Sequence, residues 1–102
     1  MEIKVFSKNK RFLSLVETAK GKFIQHVHGY FIEAQEIKRD FFIHYDYRKH
    51  VWAVHDYQTA HRITAAKEYQ DSLEALPKTI QTFDWSSLEE FPTINPECLE
   101  EQ

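Results

Sequence analysis

The segment FFIHYDYRKHVWAVHDY constrains the fold more than any other part of the chain. Apolar residues alternate with polar ones on both sides of a short charged stretch, which is the pattern of two antiparallel strands joined by a turn. If residues 47–50 form the loop, Tyr45 lies opposite Trp52 and Ile43 lies opposite Val54 on the neighbouring strand. Such cross-strand pairs contribute about 0.2–1 kcal/mol each. We therefore expect these four residues on the core side of an antiparallel sheet.

The reverse face of this hairpin mixes aromatic rings with ionisable side chains. In the same register its members are Phe42, His44, Asp46, Ala53, His55 and Tyr57. We expect this face to point outward and to form a binding surface. The alternative is that residues 83–94 or another subunit cover it, since exposed apolar patches are typical of interfaces.

Charge is divided unevenly along the chain. Residues 1–62 carry eleven Lys and Arg against seven Asp and Glu, whereas residues 63–102 carry two against nine. The basic part could steer an anionic partner toward one side of the molecule. The acidic part could instead fold against the basic part and neutralise it.

Cations beside aromatic rings are typical of surfaces that bind single-stranded RNA or DNA, because bases stack on rings and phosphates attract cations. Most of the cations before residue 63 fall at expected turns. The candidate binding residues are Lys8, Lys10, Arg11, Lys20, Lys22, Phe31, Lys38, Arg39, Phe42, His44, Arg48, Lys49, His55, Tyr57 and Arg62.

The stretch before residue 41 predicts further strands. EIKVF reads as a strand, and FIQHV and YFIEAQEI read as two strands joined by a turn at His28 and Gly29. Residues 9–20 fit a helical stripe that ends before Gly21, but SKNK could instead be a hairpin turn that leads into a strand. We favour the helix at this point.

The second half of the chain predicts a helix that starts after Thr64 as its N-cap. Apolar residues then recur at helical spacing: Ala66, Tyr69, Leu73, Leu76 and Ile80. Pro77 is expected to bend or break this helix, because proline lacks the amide hydrogen. A short helix is expected after Asp84 or Ser86. The fold class is therefore α+β, an antiparallel β-sheet of four or more strands packed by a C-terminal amphipathic helix.

The residues indicate no enzyme, no cofactor and no specific metal site. His55 and Asp56 are adjacent and face opposite ways on a strand, and His44 and Asp46 have no Ser or Cys nearby to activate. The six histidines lack a Cys pair or a His-Glu-x-x-His helix, and we expect them to be half-exposed strand residues. Both glycines are expected in turns and not in a phosphate-binding loop.

The chain is expected to be a single compact domain over residues 1–94 with an acidic tail over 95–102. It has no apolar run near the ~20 residues that a membrane helix needs and no signal-peptide pattern. The lone Cys98 cannot form an internal disulfide. These features favour a cytoplasmic location.

The segment VWAVHDYQTAHRI, followed by the amphipathic helix, resembles the closing strand, turn and helix of small uncharacterised proteins of phages and plasmids of Gram-positive bacteria. The resemblance covers residues 51–83, and Ala60 stands where those proteins usually have glycine after the threonine. It implies an origin in a mobile element and an accessory role in the cytosol. It implies no site residues.

From these patterns we expect a non-enzymatic regulatory or interaction module that acts through protein contacts, with a protein partner or as a homodimer. The alternative is single-stranded RNA or DNA binding through the basic, aromatic surface of residues 8–62. No membrane partner is expected.

Overall fold

A meander of five antiparallel strands followed by one α-helix makes up the fold in the computed structural model, which describes residues 2–95. The strands lie in the sheet in chain order: β1 (Lys4–Thr18), β2 (Gly21–Ala34), β3 (Arg39–Asp46), β4 (Val51–Asp56) and β5 (Arg62–Ala66). The helix α1 spans Tyr69–Thr82, and short 3₁₀ turns lie at Gln35–Ile37 and Trp85–Leu88. The predicted α+β class is confirmed.

The helix α1 covers one face of the sheet. It buries Leu76 and Ile80 against residues of the central strands, namely Ile32, Ala34, Phe41, Ile43 and Val54. Tyr45 pairs with Trp52, with ring centroids 5.4 Å apart, and Ile43 pairs with Val54. The predicted register of the hairpin and its core side are therefore confirmed.

The strand β1 runs through residues 9–20 as far as Thr18, so the predicted helix there is wrong. SKNK is not a hairpin turn either, because the register with β2 only shifts between Val5 and Asn9. The apolar spacing in this stretch fits a helix and a strand equally well. Backbone pairing with β2 and the burial of Phe12 and Ser14 on one face favour the strand.

Gly29 lies in the middle of β2, so the turn predicted there is wrong. It is paired with Lys10 on one side and with His44 on the other. A Cβ atom built on Gly29 would collide with the carbonyl of Ile43, so glycine permits the close approach of β3. Gly21 has a φ of +128° beside the β1–β2 turn, where the sequence predicts a turn.

The reverse face of the sheet is also buried, so the predicted outward aromatic surface is wrong. The long β1 lies across this face, and the ring of Phe12 stacks on that of Phe42 with centroids 4.6 Å apart. Five candidates for nucleic-acid binding are at most 8% exposed: Phe31, Phe42, His44, His55 and Tyr57. A base cannot stack on rings that already pack against one another.

The side chain of Asn95 links β1 to the segment after β4 on this face. Its Oδ1 accepts a hydrogen bond from the Leu13 amide at 2.9 Å, and its Nδ2 donates to the carbonyls of Leu13 and Tyr57 at 3.0 and 2.8 Å. The amide of Leu15 donates to the Ala60 carbonyl at 3.1 Å. Asn95 therefore belongs to the fold, one residue beyond the predicted domain limit, and the rest of the predicted tail lies outside the described residues.

The helix begins later than the sequence predicts. Thr64 pairs with Val54 in β5, and α1 starts at Tyr69. It also continues through Pro77 to Thr82, so the predicted break is wrong. The short helical turn after Asp84 is present, and the Asp84 side chain accepts a hydrogen bond from the Ser86 amide. Within residues 2–95, no helix is long and apolar enough to span a membrane.

Candidate binding cleft

A cleft of about 400 Å³ opens between the end of β1 and the start of β5. The buried rings of His44 and His55 lie at its floor, side by side on β3 and β4. Charged side chains line its walls and mouth: Glu17, Asp46, Arg48, Lys49 and Arg62. We call this site the histidine cleft. It is polar, and it lies on the reverse face of the sheet, where a second core is formed by Phe12, Phe31, Phe42 and Tyr57.

His44 and His55 touch through their ring nitrogens. The two Nε2 atoms are 3.1 Å apart. The Nδ1 of His55 lies 2.8 Å from the Ala60 carbonyl oxygen, and the Nδ1 of His44 lies 3.3 Å from the Tyr45 carbonyl oxygen. A carbonyl oxygen only accepts, so Nδ1 of His55 carries the proton and its Nε2 presents a lone pair.

Both rings are held in the neutral form. Burial, with smaller contributions from the neighbouring His44 and Arg62, lowers the pKa of His55 to about 3, against the opposing effect of the hydrogen bond to Ala60. Burial also lowers the pKa of His44, against the effects of the Tyr45 carbonyl and Asp46. At neutral pH the floor of the cleft is therefore uncharged, while its mouth carries both signs.

His61 adds a third imidazole to the wall of the histidine cleft. Its Nδ1 lies 3.2 Å from the Thr59 carbonyl oxygen, and its Nε2 is buried without a hydrogen-bond partner. Its ring packs on Phe91 with centroids 4.3 Å apart. Sequence reasoning missed this residue, because it follows the strand and has no place in the hairpin register.

The two histidines of β2 lie on the opposite face of the sheet from the histidine cleft. His26 and His28 are exposed and alternate with Val27 and Gly29, which face the histidine cleft side of the sheet. They therefore project from the opposite face to His44 and His55. The expectation of half-exposed strand histidines fits these two residues and is wrong for His44 and His55.

The predicted cations do not form one surface. Arg48, Lys49 and Arg62 meet at the mouth of the cleft. Lys38 lies at the other end of the sheet, between β2 and β3, and Lys8, Lys10 and Arg11 lie along β1. Arg39 is unsuitable for phosphate binding, because its Nε donates to the buried Asp56 at 2.7 Å and its guanidinium stacks on Trp85.

A group of exposed apolar side chains lies at the turns near the cleft, and sequence reasoning missed it. We call residues 17–24 and 45–50 the hairpin end, since they form the β1–β2 and β3–β4 turns. Phe23 and Ile24 are each 41% exposed and Tyr47 is 80% exposed. The Arg48 guanidinium lies 5.1 Å from the Phe23 ring centroid, which joins the two turns. Tyr47 lies inside the predicted loop of residues 47–50, and an apolar ring in a loop is the signal that could have identified this group.

Comparison with known proteins gives no relatives. No protein-family model matches the chain, and neither a curated protein nor a solved structure matches it. The resemblance to phage and plasmid proteins therefore stays a prediction.

Proposed function

We propose that this protein is a non-enzymatic binding module that acts through contact with another protein, and that a second copy of the chain is its partner. The observation that carries the proposal is the exposed apolar surface of the hairpin end, formed by Phe23, Ile24 and Tyr47. In the described part of the chain, Phe91 is the other large apolar side chain exposed to a similar degree. Apolar surface gathered at one end of a small domain is typical of an interface.

The hairpin end is suited to pairing with itself. A two-fold dimer brings the same patch of both chains together, so the patch must complement itself. Cations and carboxylates are interspersed here: Lys20, Lys22, Arg48 and Lys49 beside Glu17 and Asp46. Phe23 and Ile24 are adjacent on β2 and project from its two faces, so the centre of the interface would be the tip of the hairpin end and not one face of the sheet. Opposite charges would meet at its rim. A stable dimer needs about 800 Å² from each partner.

Sedimentation velocity over a concentration series tests this proposal. We expect the wild-type chain to shift from monomer to dimer as its concentration rises, and the double variant Ile24→Ser, Tyr47→Ser to stay monomeric. The matched control is Lys78→Ser, Gln81→Ser, which removes two exposed side chains from α1. A wild type that is monomeric throughout, or a dimer that the hairpin-end variant leaves intact, would contradict the proposal.

Single-stranded nucleic-acid binding is the second candidate function. It is favoured by the cations at the mouth of the histidine cleft, Arg48, Lys49 and Arg62, and by the exposed rings of Phe23 and Tyr47 beside them. The buried aromatic face does not support it. The surface it would use is therefore smaller than the one predicted over residues 8–62.

A further inference from the structure

The rings of His44 and His55 carry too few protons for the polar contacts that they make. Two neutral imidazoles have two N–H groups in total, whereas the pair makes three polar contacts, at 2.8, 3.1 and 3.3 Å. These are the contacts to the Ala60 carbonyl, to the Tyr45 carbonyl and between the two Nε2 atoms. Since the Ala60 contact takes the proton of His55, one proton of His44 remains for the other two contacts.

Each tautomer of His44 leaves one unfavourable contact. With its proton on Nδ1, His44 donates to Tyr45, and two Nε2 lone pairs then face each other at 3.1 Å. With its proton on Nε2, His44 donates to His55, and the Nδ1 lone pair then faces the Tyr45 carbonyl oxygen at 3.3 Å. A positive ion between the Nε2 atoms allows both Nδ1–H groups to donate to their carbonyls.

We propose that His44 and His55 form a two-histidine site for a zinc-class divalent metal ion, with the remaining coordination positions open to the histidine cleft. Zinc binds histidine nitrogens at about 2.0–2.1 Å with tetrahedral angles, which separates two ligand nitrogens by about 3.4 Å. The observed 3.1 Å between the Nε2 atoms is within a few tenths of an ångström of that value. The two rings therefore need little movement to bind one ion.

The surroundings of both rings match those of metal ligands. A metal-binding histidine commonly donates its second ring N–H to a carbonyl or carboxylate, which fixes the tautomer and points the other nitrogen at the metal. Here Nδ1 of each ring contacts a backbone carbonyl. Neutral rings also need not lose a proton before they bind.

The site has two protein ligands and not three. Among residues 2–95, no three His, Cys, Asp or Glu side chains are grouped in positions to hold one ion. Water or a small anion must therefore complete the coordination, and the cleft of about 400 Å³ has room for either. Arg62 and Arg48 line the same cleft and would favour an anion. The two ligands lie outside the hairpin end, although Glu17, Asp46, Arg48 and Lys49 belong both to the hairpin end and to the lining of the histidine cleft.

A shared proton is the competing occupant. It would turn the pair into an imidazole and an imidazolium with the same three hydrogen bonds. Burial opposes either occupant, because an imidazolium and a divalent ion both lose hydration in the cleft. The metal ion differs in that it forms two coordinate bonds to the Nε2 atoms and binds further ligands from the cleft.

Zinc binding to the full chain, purified without a histidine tag and stripped of metal, tests the proposal. We expect isothermal titration calorimetry to give one Zn²⁺ per chain. His44→Gln and His55→Gln should each weaken binding by at least about tenfold, since each removes one of two ligands. The matched control is the double variant His26→Gln, His28→Gln, which removes two exposed histidines from the opposite face and should bind as the wild type does.

A measurement on the wild type covers the case in which a cleft variant fails to fold. In ¹⁵N-detected imidazole spectra, Zn²⁺ should shift the Nε2 signals of His44 and His55 and leave their Nδ1 signals protonated. No zinc binding by the wild type, unchanged Nε2 signals, or affinity that falls only in the His26 and His28 variant would overturn the proposal. A pair that binds only a proton, which would also overturn it, would show a pH-dependent Nε2 shift that zinc does not alter.

Discussion

Asn95 joins three parts of the molecule through one side chain. It hydrogen-bonds to both backbone groups of Leu13 in β1 and to the Tyr57 carbonyl after β4, and it is 3% exposed. These bonds hold β1 across the second core, where Phe12 stacks on Phe42. A polar side chain of this kind stabilises a fold chiefly because its buried partners have no other group with which to form a hydrogen bond.

Replacement of Asn95 by Ala should therefore lower the free energy of unfolding by about 1–3 kcal/mol, the cost of leaving buried polar groups unpaired. Urea denaturation followed by tryptophan fluorescence measures this change. Asn9→Ala, at an exposed position of β1, is the matched control and should stay within about 0.5 kcal/mol of wild type. Equal effects of the two substitutions would mean that Asn95 does not hold the sheet closed.

At the scale of elements, α1 shows how tertiary packing overrides local preference. Pro77 lies inside the helix and has no amide hydrogen to donate to the carbonyl four residues earlier. The helix nevertheless continues to Thr82, because Leu76 and Ile80 on either side of the proline are buried in the core between α1 and the central strands. Burying such a side chain contributes about 1.5–3 kcal/mol, which offsets the cost of the missing bond.

We expect Pro77→Ala to stabilise the protein, by up to about 3 kcal/mol, because it restores a backbone hydrogen bond and removes a clash. The melting temperature, followed by circular dichroism at 222 nm, is the readout. Lys78→Ala exchanges one good helix former for another at the next, exposed position and should have almost no effect. A Pro77→Ala variant that melts at or below the wild-type temperature would show that the proline fits this helix without strain.

At the scale of the whole molecule, the uneven charge distribution does not produce one basic surface. Of the cations in the first 62 residues, Arg48, Lys49 and Arg62 gather at the histidine cleft, whereas Arg39 is paired with Asp56. The Nζ of Lys22 also lies 3.5 Å from the Oε2 of Glu17, and both side chains are exposed. The mouth of the cleft is therefore one site of attraction for a polyanion, and Lys8, Lys10 and Arg11 along β1 form another group of cations.

If the chain binds single-stranded nucleic acid, a fluorescein-labelled mixed oligonucleotide should bind at low salt and be released as salt rises. The triple variant Arg48→Ser, Lys49→Ser, Arg62→Ser should weaken binding and reduce the slope of log K against log salt by about 0.7 for each phosphate that it fails to neutralise. Lys67→Ser, Lys78→Ser removes two exposed cations elsewhere and serves as the control. Absent binding at low salt, or binding that ignores salt, would rule out this function.

The local patterns of the chain predict some features correctly without tertiary information. The alternation in residues 41–57 is enough to pair Tyr45 with Trp52 and to place His44 and His55 on one face, because side chains on a strand alternate strictly. The apolar spacing of Leu73, Leu76 and Ile80 is enough to predict the amphipathic helix. These features depend on neighbours a few residues apart.

The histidine cleft depends on contacts between residues that are far apart in the sequence. The sequence by itself determined the hairpin register, the α+β class and the face that each histidine of the hairpin strands takes. Only the tertiary structure decided that β1 is a strand, that it covers the second face with Phe12, and that His44 and His55 are therefore buried. The physical reason is that burial depends on which segment packs over a face, and Asn95 fixes that segment from 82 positions away.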